Sequence, residues 1–434
     1  MPELLEYQRT SLEAAGRRID SLDLLRGIAI LGIFLMNTQS MGLIGEAYIN
    51  PTKGGGDSPA NYLVFVVVHI LADMKFITLF SLMFGAGILL QGERVAARGM
   101  SSAAVHYRRM GVLLLIGLVH AYCLWYGDIL VAYACCGLLL YPLGRYLPAW
   151  SVAMCGVAMV LTAPVITWLL HENRVDFLNH LRDWAWSLYK GTNEISAYRA
   201  GGSAEWKMRA ISSLDEQTRV FLTWTFWRCG GAILLGMALQ RWRFFQGTWA
   251  TGAYALLALL LVPTGWALSL LGIYFNHWQH WDPWTLEFPG MQFNYFGSLL
   301  TSVGYLASGV LVAMWVAQAR QAPALARPLH ARIAAAAVSP VRCVGRMALT
   351  NYLFQTLVGT TLFDGHGLGY FESLDRVDLL GIVAITWSVQ LTGSWLWMRT
   401  FRQGPVEWLW RTLAYLGRGM NPEAPPAPPA SPPA

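Results

Sequence analysis

The sequence has few charged residues for its length. Of its 434 residues only 13% are Asp, Glu, Lys or Arg, whereas 55% are hydrophobic and the mean hydropathy is +0.41. A soluble globule of this size needs more charged side chains on its surface, so a soluble fold is excluded. Apolar runs of about 20 residues recur along the whole chain, and each is long enough to cross a hydrocarbon core about 30 Å thick.

The sequence also lacks the short segments of alternating polarity that a membrane β-barrel requires. It contains no Walker motif, no GxSxG elbow and no Rossmann fingerprint, so nothing supports soluble-type nucleotide binding or serine-hydrolase chemistry. We therefore predict an all-α fold, a polytopic helical membrane protein with about ten transmembrane helices, and we expect no nucleic acid among its partners.

The cysteines show no spacing typical of a metal site. All six lie in or beside apolar runs, so we interpret them as small packing residues and expect no disulfide framework. His277 and His280 stand at helical spacing for two metal ligands, but no third ligand is evident near them, and we predict no metal site. No small-residue cleavage site follows the polar start of the chain, which indicates that the first helix is an uncleaved anchor.

Ten predicted spans follow from the apolar runs. They are Leu22–Ile44, Tyr62–Leu90, Gly111–Tyr126, Ile129–Leu143, Ser151–Leu170, Val220–Leu239, Thr248–Tyr274, Asn294–Ala317, Met347–Phe363 and Leu379–Met398. We divide the chain into a cytoplasmic arm (1–20), a five-helix membrane half (21–170), a periplasmic loop (171–217), a second five-helix half (218–415) and a Pro/Ala-rich tail (416–434) that we expect to be disordered.

The distribution of arginines predicts that both termini are cytoplasmic. With the N-terminus inside, the inside connections hold most of the arginines, among them Arg94 and Arg98, whereas the outside short loops hold only Lys53 and Arg376. Basic residues in short loops favour the cytoplasmic side of a membrane. The long fifth connection also has basic residues, but long loops weigh little in this rule.

A polar stretch between two apolar runs contains His120 and Asp128. An ionisable side chain at membrane depth costs about 2.5–3.5 kcal/mol, so such residues either tie helices together or serve a function. Gly127 would let the chain fold back, so that Asp128 orients the imidazole of His120 as a general base or proton carrier. We predict that His120, Asp128 and Asn37 share one polar cavity, with His69 as a further catalytic candidate.

Six other polar residues are assigned structural roles. They are Asp23, Arg26, Asp73, Lys75, Asn351 and Gln355. Asp23 and Arg26 stand three apart and can pair on one face of the first helix. Asp73 and Lys75 stand two apart, so they would point to different faces of a helix and each is expected to pair with another span.

Five segments together resemble the YeiB family of bacterial inner-membrane proteins. They are Arg18–Asn37, Lys75–Gly87, His120–Tyr133, Val344–Thr356 and Phe401–Arg411. The family lacks a firmly assigned activity. Its N-terminal half is distantly similar to a superfamily of transmembrane acyltransferases, which includes heparan-α-glucosaminide N-acetyltransferase and the polysaccharide O-acyltransferases. Those enzymes pass acyl groups from a cytoplasmic thioester to sugars across the membrane.

The signature shared with that superfamily is LDxxRGIA, here Leu22–Ala29, with a polar residue eleven positions after the arginine, here Asn37. The lysosomal relative has an Asn at that position, followed by a His in the next loop, and the O-acyltransferases have a His at the position itself. Because no His lies between Asn37 and His69 in this chain, the resemblance leaves the catalytic role to His120 or His69.

The resemblance implies an acyltransferase of the bacterial inner membrane whose donor is an acyl-coenzyme A. Four arginines would bind the donor phosphates bidentately, although anchoring of the topology explains them equally: Arg108, Arg109, Arg342 and Arg346. A proton-coupled transporter or permease of a small solute is the alternative, and a non-enzymatic scaffold is the third interpretation. The expected partners are the lipid bilayer and a small-molecule or glycan substrate, with a homodimer as an option.

Overall fold

The computed structural model describes residues 19–173, 194–321 and 328–415. These residues form helices joined by short turns, with no β-strand among them. The all-α prediction is therefore confirmed. Most of the predicted cytoplasmic arm, the first part of the predicted periplasmic loop and the Pro/Ala-rich tail lie outside the described residues.

We number the helices along the chain. They are α1 (Asp20–Gly42), α2 (Pro59–Leu71), α3 (Lys75–Ala96), α4 (Ser102–Cys123), α5 (Leu130–Tyr146), α6 (Ala149–Asn173), α7 (Glu194–Ala200), α8 (Gly202–Asp215), α9 (Phe226–Arg241), α10 (Thr251–Trp278), α11 (Met291–Gln321), α12 (Leu329–Arg346), α13 (Ala348–Phe363), α14 (Arg376–Thr400) and α15 (Pro405–Tyr415). Two π-helical segments, Glu216–Thr225 and Leu286–Gly290, lead into α9 and α11.

Eight helical stretches of the described chain are long and apolar enough to cross a membrane, and the pair α12–α13, bent by 84°, raises the number to nine. The protein is thus a multi-pass membrane protein. Each of the ten predicted spans overlaps a helix. Helix α5, with 17 residues, is shorter than a full crossing, and α13 has 16 residues and reaches the length only together with α12.

The second predicted span is broken rather than continuous. α2 ends at Leu71 and α3 begins at Lys75. Between them Met74 has a φ of 60°, in the left-handed region that a helix of L-residues cannot continue through. Asp73 therefore lies in a break, and the expectation that Asp73 and Lys75 occupy two faces of one helix was wrong.

The predicted periplasmic loop, in its described part, and the connection before the ninth predicted span are helical. The described part of the predicted periplasmic loop forms α7 and α8, and α8 continues through a π-helical segment into α9. The basic connection before the ninth span forms α12, whose arginines lie along one amphipathic helix. Apolar runs alone do not predict these helices, because their polar residues do not extend any such run.

Helices α3 and α9 pack with their backbones in contact. A Cβ atom at Gly85 would collide with the carbonyl oxygen of Ile233, and one at Gly236 would collide with that of Leu82. Both of the larger clusters of buried apolar side chains include residues of α3 and α9. Small residues thus permit the close helix approach that membrane helices use in place of a hydrophobic driving force.

Helices α7 and α8 form a cap (194–215) over the end of α4. Arg209 donates to the carbonyl of Cys123 (3.1 Å) and Ser213 to that of Ala121 (2.9 Å). Arg199 donates to the carbonyl of Phe371 in the loop after α13 (2.7 Å). The cap therefore ties together the ends of α4 and α13, which carry the residues described next.

Candidate active site

His120 is buried near the end of α4, with 1% of its surface exposed, and both of its ring nitrogens are hydrogen-bonded. Nδ1 lies 2.8 Å from Oδ1 of Asp128, and Nε2 lies 2.9 Å from Oγ1 of Thr356. A carboxylate only accepts, so Nδ1 carries a proton, and in the neutral imidazole Nε2 is the acceptor for the Thr356 hydroxyl. The same hydroxyl also lies 3.4 Å from the carbonyl of Tyr352. We call Asp128, His120 and Thr356 the relay.

A chain reversal between α4 and α5 brings Asp128 back to His120. The amides of Leu124 and Trp125 both donate to the carbonyl of His120 at 2.9 Å, which closes the helix. Oδ2 of Asp128 then accepts the amide of Val131, in the first turn of α5, at 2.7 Å. The separation of about 12 Å that a continuous helix would impose is replaced by a direct hydrogen bond.

The other two predicted catalytic residues do not join the relay. Asn37 is half-buried in α1, and within the described chain no hydrogen bond links it to His120 or Asp128. His69 lies on α2, where its Nδ1 is 3.2 Å from Oδ2 of Asp73. The structure thus brings His120 and Asp128 together and leaves Asn37 and His69 outside this group.

A cavity of about 1360 Å³ lies between α1, α3, α4, α5, α13 and α15. Its wall at one end is basic and includes Arg26, Arg94, Arg98, Arg109, Arg346, Arg402 and Arg411. Its wall at the other end is apolar and aromatic, with Phe80, Leu113, Leu130, Tyr133 and Tyr352. The cavity therefore suits a ligand with an anionic head and an extended remainder.

Two of the four arginines predicted to bind phosphate, Arg109 and Arg346, line this cavity. Arg108 is exposed and is not among the lining residues, and Arg342 forms an ion pair with Asp20. The remaining arginines of the basic end come from α1, from the end of α3 and from the segment after α14. Sequence reading could not group them because they are far apart in the chain.

The basic end contains buried donors that have no acceptor among the described residues. They are Nε of Arg109 and Nε2 of Gln91. The Trp410 ring lies under the Arg109 guanidinium at 4.2 Å and holds it in place. Glu407 also lines this end of the cavity, and its carboxylate accepts two backbone amides of α13 at 2.7 and 3.1 Å. Buried donors without partners are costly, and a ligand with acceptor atoms would satisfy them.

Tyr352 lies between the cavity and the relay. It lines the cavity, and its ring packs on the imidazole of His120 with 5.1 Å between centroids. Thr356 follows one turn later on the same face of α13. Sequence reading missed both residues, although their spacing of four within the segment Val344–Thr356 would have placed them side by side on a helix.

Amide side chains join α13 to α14 and α1. Gln390 donates to Oδ1 of Asn351 (3.1 Å), and Gln355 donates to Oε1 of Gln390 (3.0 Å) and to the carbonyl of Ile30 (3.0 Å). In α1, Asp23 and Arg26 form an ion pair at 3.8 Å. Buried amides of this kind fix how neighbouring membrane helices pack.

A second polar cluster surrounds the break between α2 and α3. Asn294 of α11 donates to Asp73 (2.7 Å) and accepts from Lys75 (2.6 Å). Lys75 also donates to the carbonyl of His69 and to Ser269. Asp73 and Lys75 thus find their partners on other spans through one shared amide. Beside them lies a small cavity of about 20 Å³, room for about one water molecule.

A third cluster joins the cap to the loop after α13. Ligand-type atoms of Glu205, Asp364 and His366 lie within 4.8 Å of one another. The guanidinium of Arg209 pairs with both carboxylates, so a cation already occupies this site. Burial raises the pKa of Asp364 to about 7, against the opposing effect of Arg209. We interpret the group as an ion-pair network that fastens the cap.

Comparison with known proteins identifies the family. The uncharacterized protein YeiB of Escherichia coli (strain K12) is 32% identical, over 92% of this chain and 97% of its own length. The chain belongs to the YeiB family. A second relative, the uncharacterized protein YxaH of Bacillus subtilis (strain 168), is 26% identical over 92% of this chain and 94% of its own length.

The C-terminal part of this YeiB-family chain, residues 239–417, also matches the family model described as a protein of unknown function (DUF418). The comparison with solved structures found no match. The matched region includes α13 with Tyr352 and Thr356, as well as α15. The relay and the cavity therefore combine residues of this C-terminal region with residues of α1, α3, α4 and α5.

Proposed function

We propose that this protein is a membrane-bound acyltransferase with an acyl-coenzyme A donor and an envelope glycan or small molecule as acceptor. The observation that carries the proposal is the cavity, because it runs from a basic end to the ring that covers the relay. Along α4, Arg109 and His120 are about 16 Å apart at helical rise. If the arginines bind the phosphates of the acyl-coenzyme A, its extended arm would place the thioester beside Tyr352.

The relay supplies the base that acyl transfer requires. Nε2 of His120 is the nitrogen free to take a proton, because the carboxylate of Asp128 holds the other nitrogen protonated. Removal of a hydroxyl or amine proton lets that oxygen or nitrogen attack the thioester carbonyl. The C–S bond then breaks, and the thiol leaves with the proton that His120 returns.

The distribution of arginines supports a defined orientation in the bacterial inner membrane. We place both termini and the basic end of the cavity in the cytoplasm, where the donor is made, and the cap in the periplasm. The relay then lies under the cap, near the outer end of α4. Donor and acceptor would thus approach the relay from opposite sides of the membrane.

The proposal is tested by thiol release from acetyl-coenzyme A. Purified protein in lipid nanodiscs is supplied with a panel of sugars and amino sugars, and free coenzyme A is measured with a thiol reagent. We expect acceptor-dependent release, together with an acylated sugar detected by mass spectrometry. Wild-type protein that neither binds nor consumes acetyl-coenzyme A, at any acceptor tested, contradicts the proposal.

The polar cluster at the α2–α3 break favours proton-coupled transport as a second candidate. Broken helices with buried ionisable groups form the sites of many transporters, and here Asp73 lies in the break and Lys75 directly after it, both buried. Mass spectrometry of small molecules that co-purify with the wild type and with Lys75→Met would test it. A solute that is lost only from the variant supports transport, and identical spectra speak against it.

A further inference from the structure

The hydroxyl of Thr356 lies within hydrogen-bond distance of the base of the relay, which is the arrangement of an activated nucleophile. Oγ1 of Thr356 is 2.9 Å from Nε2 of His120, and Nδ1 of His120 is 2.8 Å from Asp128. Nucleophile and base within hydrogen-bond reach, with a third group that orients the base, are the mark of covalent acyl transfer. All three side chains are almost completely buried, with Asp128 and His120 at 1% and Thr356 at 0%.

We propose that Thr356 carries the acyl group as an ester between the two half-reactions; this rests on the proposed function. His120 takes the proton of Thr356, the hydroxyl oxygen attacks the thioester carbonyl and the C–S bond breaks. The thiol leaves with the proton from His120. In the second half-reaction His120 deprotonates the acceptor, which attacks the ester, and the returned proton restores the Thr356 hydroxyl.

The position of Thr356 explains why a covalent intermediate suits this fold. Tyr352, one turn earlier, lines the cavity, whereas Thr356 is not among the lining residues, and the Tyr352 hydroxyl lies 3.4 Å from the carbonyl of Gly127. The cap covers the other side through its bonds to the end of α4. Thr356 would thus receive the acyl group from a donor on the cavity side and pass it to an acceptor on the side of the cap. Donor and acceptor would not have to be bound at the same time.

The neighbouring Thr360 provides a matched control. It is buried one turn further along α13, and its hydroxyl donates only to the backbone carbonyl of Thr356 at 3.0 Å. Thr360→Val therefore removes a buried hydroxyl from the same helix and leaves the three side chains of the relay unchanged, because the lost bond is to the backbone of Thr356. Thr356→Val keeps the shape of the nucleophile but removes its oxygen, and Thr356→Ser keeps the oxygen.

The experiment measures exchange of radiolabelled coenzyme A into acetyl-coenzyme A without any acceptor. Such exchange requires an acyl-enzyme and does not require that it accumulates. We expect exchange in the wild type, in Thr360→Val and in Thr356→Ser, and a loss of at least about 100-fold in Thr356→Val. Digestion and mass spectrometry should place the acetyl group on the peptide that contains Thr356.

Several outcomes separate the possibilities. The role of Thr356 is wrong if Thr356→Val exchanges coenzyme A or transfers the acyl group at a rate within about threefold of the wild type. It is also wrong if the wild type transfers the acyl group to an acceptor but does not exchange coenzyme A. In both cases the proposed function survives. If the wild type consumes no thioester at all, the proposed function and the covalent step fail together. Melting temperatures of the three variants show whether each is folded.

Discussion

The imidazole of His120 either links helices by hydrogen bonds or acts as a general base, and one substitution distinguishes these two roles. His120→Gln keeps a side chain that can hydrogen-bond but cannot exchange a proton at neutral pH. We expect it to remain folded and to lose acyl transfer by about 100-fold or more, the usual range for a general base. Thiol release from acetyl-coenzyme A measures the loss.

His106→Gln is the control for that variant. His106 lies on the same helix, is buried (5% exposed) and bonds through Nε2 to the carbonyl of Gly137 at 2.9 Å, without contact to the relay. It should keep wild-type activity. Full activity in His120→Gln would show that the relay serves packing alone.

Arg109 and Arg108 are adjacent in sequence, but only Arg109 faces the cavity. Arg109→Ala removes a guanidinium with an unpaired buried donor, so we expect coenzyme A to bind about 10-fold to 100-fold more weakly, in line with hydrogen bonds to charged groups. Arg108→Ala should leave the affinity unchanged. Calorimetry with coenzyme A measures the affinity of each variant. An equal loss of affinity in Arg109→Ala and Arg108→Ala would indicate unspecific attraction to a basic surface.

At the scale of helices, the contact between α3 and α9 depends on glycine. A methyl group at Gly85 meets backbone atoms of Ile233, which cannot move aside as a flexible side chain can. We expect Gly85→Ala to destabilise the fold by about 1–3 kcal/mol, as overpacking does. Thermal unfolding in detergent measures the change.

Gly393→Ala, within α14, is the matched substitution, because no atom lies within 4 Å of a Cβ at that position. It should leave the melting temperature unchanged or slightly raised, since alanine favours a helix over glycine. A melting temperature for Gly85→Ala equal to that of Gly393→Ala would mean that α3 and α9 are not in backbone contact.

The apolar runs of the sequence predict the membrane helices but not every break or amphipathic helix between them. The apolar runs locate each membrane helix, because a run of that length has no other stable place. They do not locate the break at Met74 or the helix α12, since both depend on contacts with distant elements. Met74 adopts a left-handed conformation where Asn294 bridges Asp73 and Lys75 across the break.

For the whole molecule, the arginine asymmetry predicts that both termini are cytoplasmic. A reporter that is active only in the periplasm should be active when fused after Asn173 or Gly290 and inactive when fused after Asn421. A cytoplasmic reporter at the same three sites should give the reverse pattern. Periplasmic activity after Asn421 would invert the orientation and would place the basic end of the cavity away from cytoplasmic donors.

The sequence by itself determined that this is an all-α, multi-pass membrane protein, and it singled out His120 and Asp128. Each membrane helix must satisfy its backbone hydrogen bonds within itself. The sequence pattern that predicts such a helix is therefore contained in one run of apolar residues. The cost of burying ionisable groups in lipid is likewise a property of the residue and its segment. The fold-back at Gly127 was also readable, since both ends of the reversal are close in sequence.

Only the tertiary structure decided what those residues meet. Thr356 is 236 positions from His120 in the chain, and the arginines of the cavity come from several separate segments. Contacts between residues so far apart in the chain depend on how the helices pack. This packing is set by small residues such as Gly85 and by buried amides such as Gln390 rather than by any local pattern. For the same reason Asn37 and His69 were grouped with His120 by depth in the membrane, although the described structure bonds neither of them to the relay.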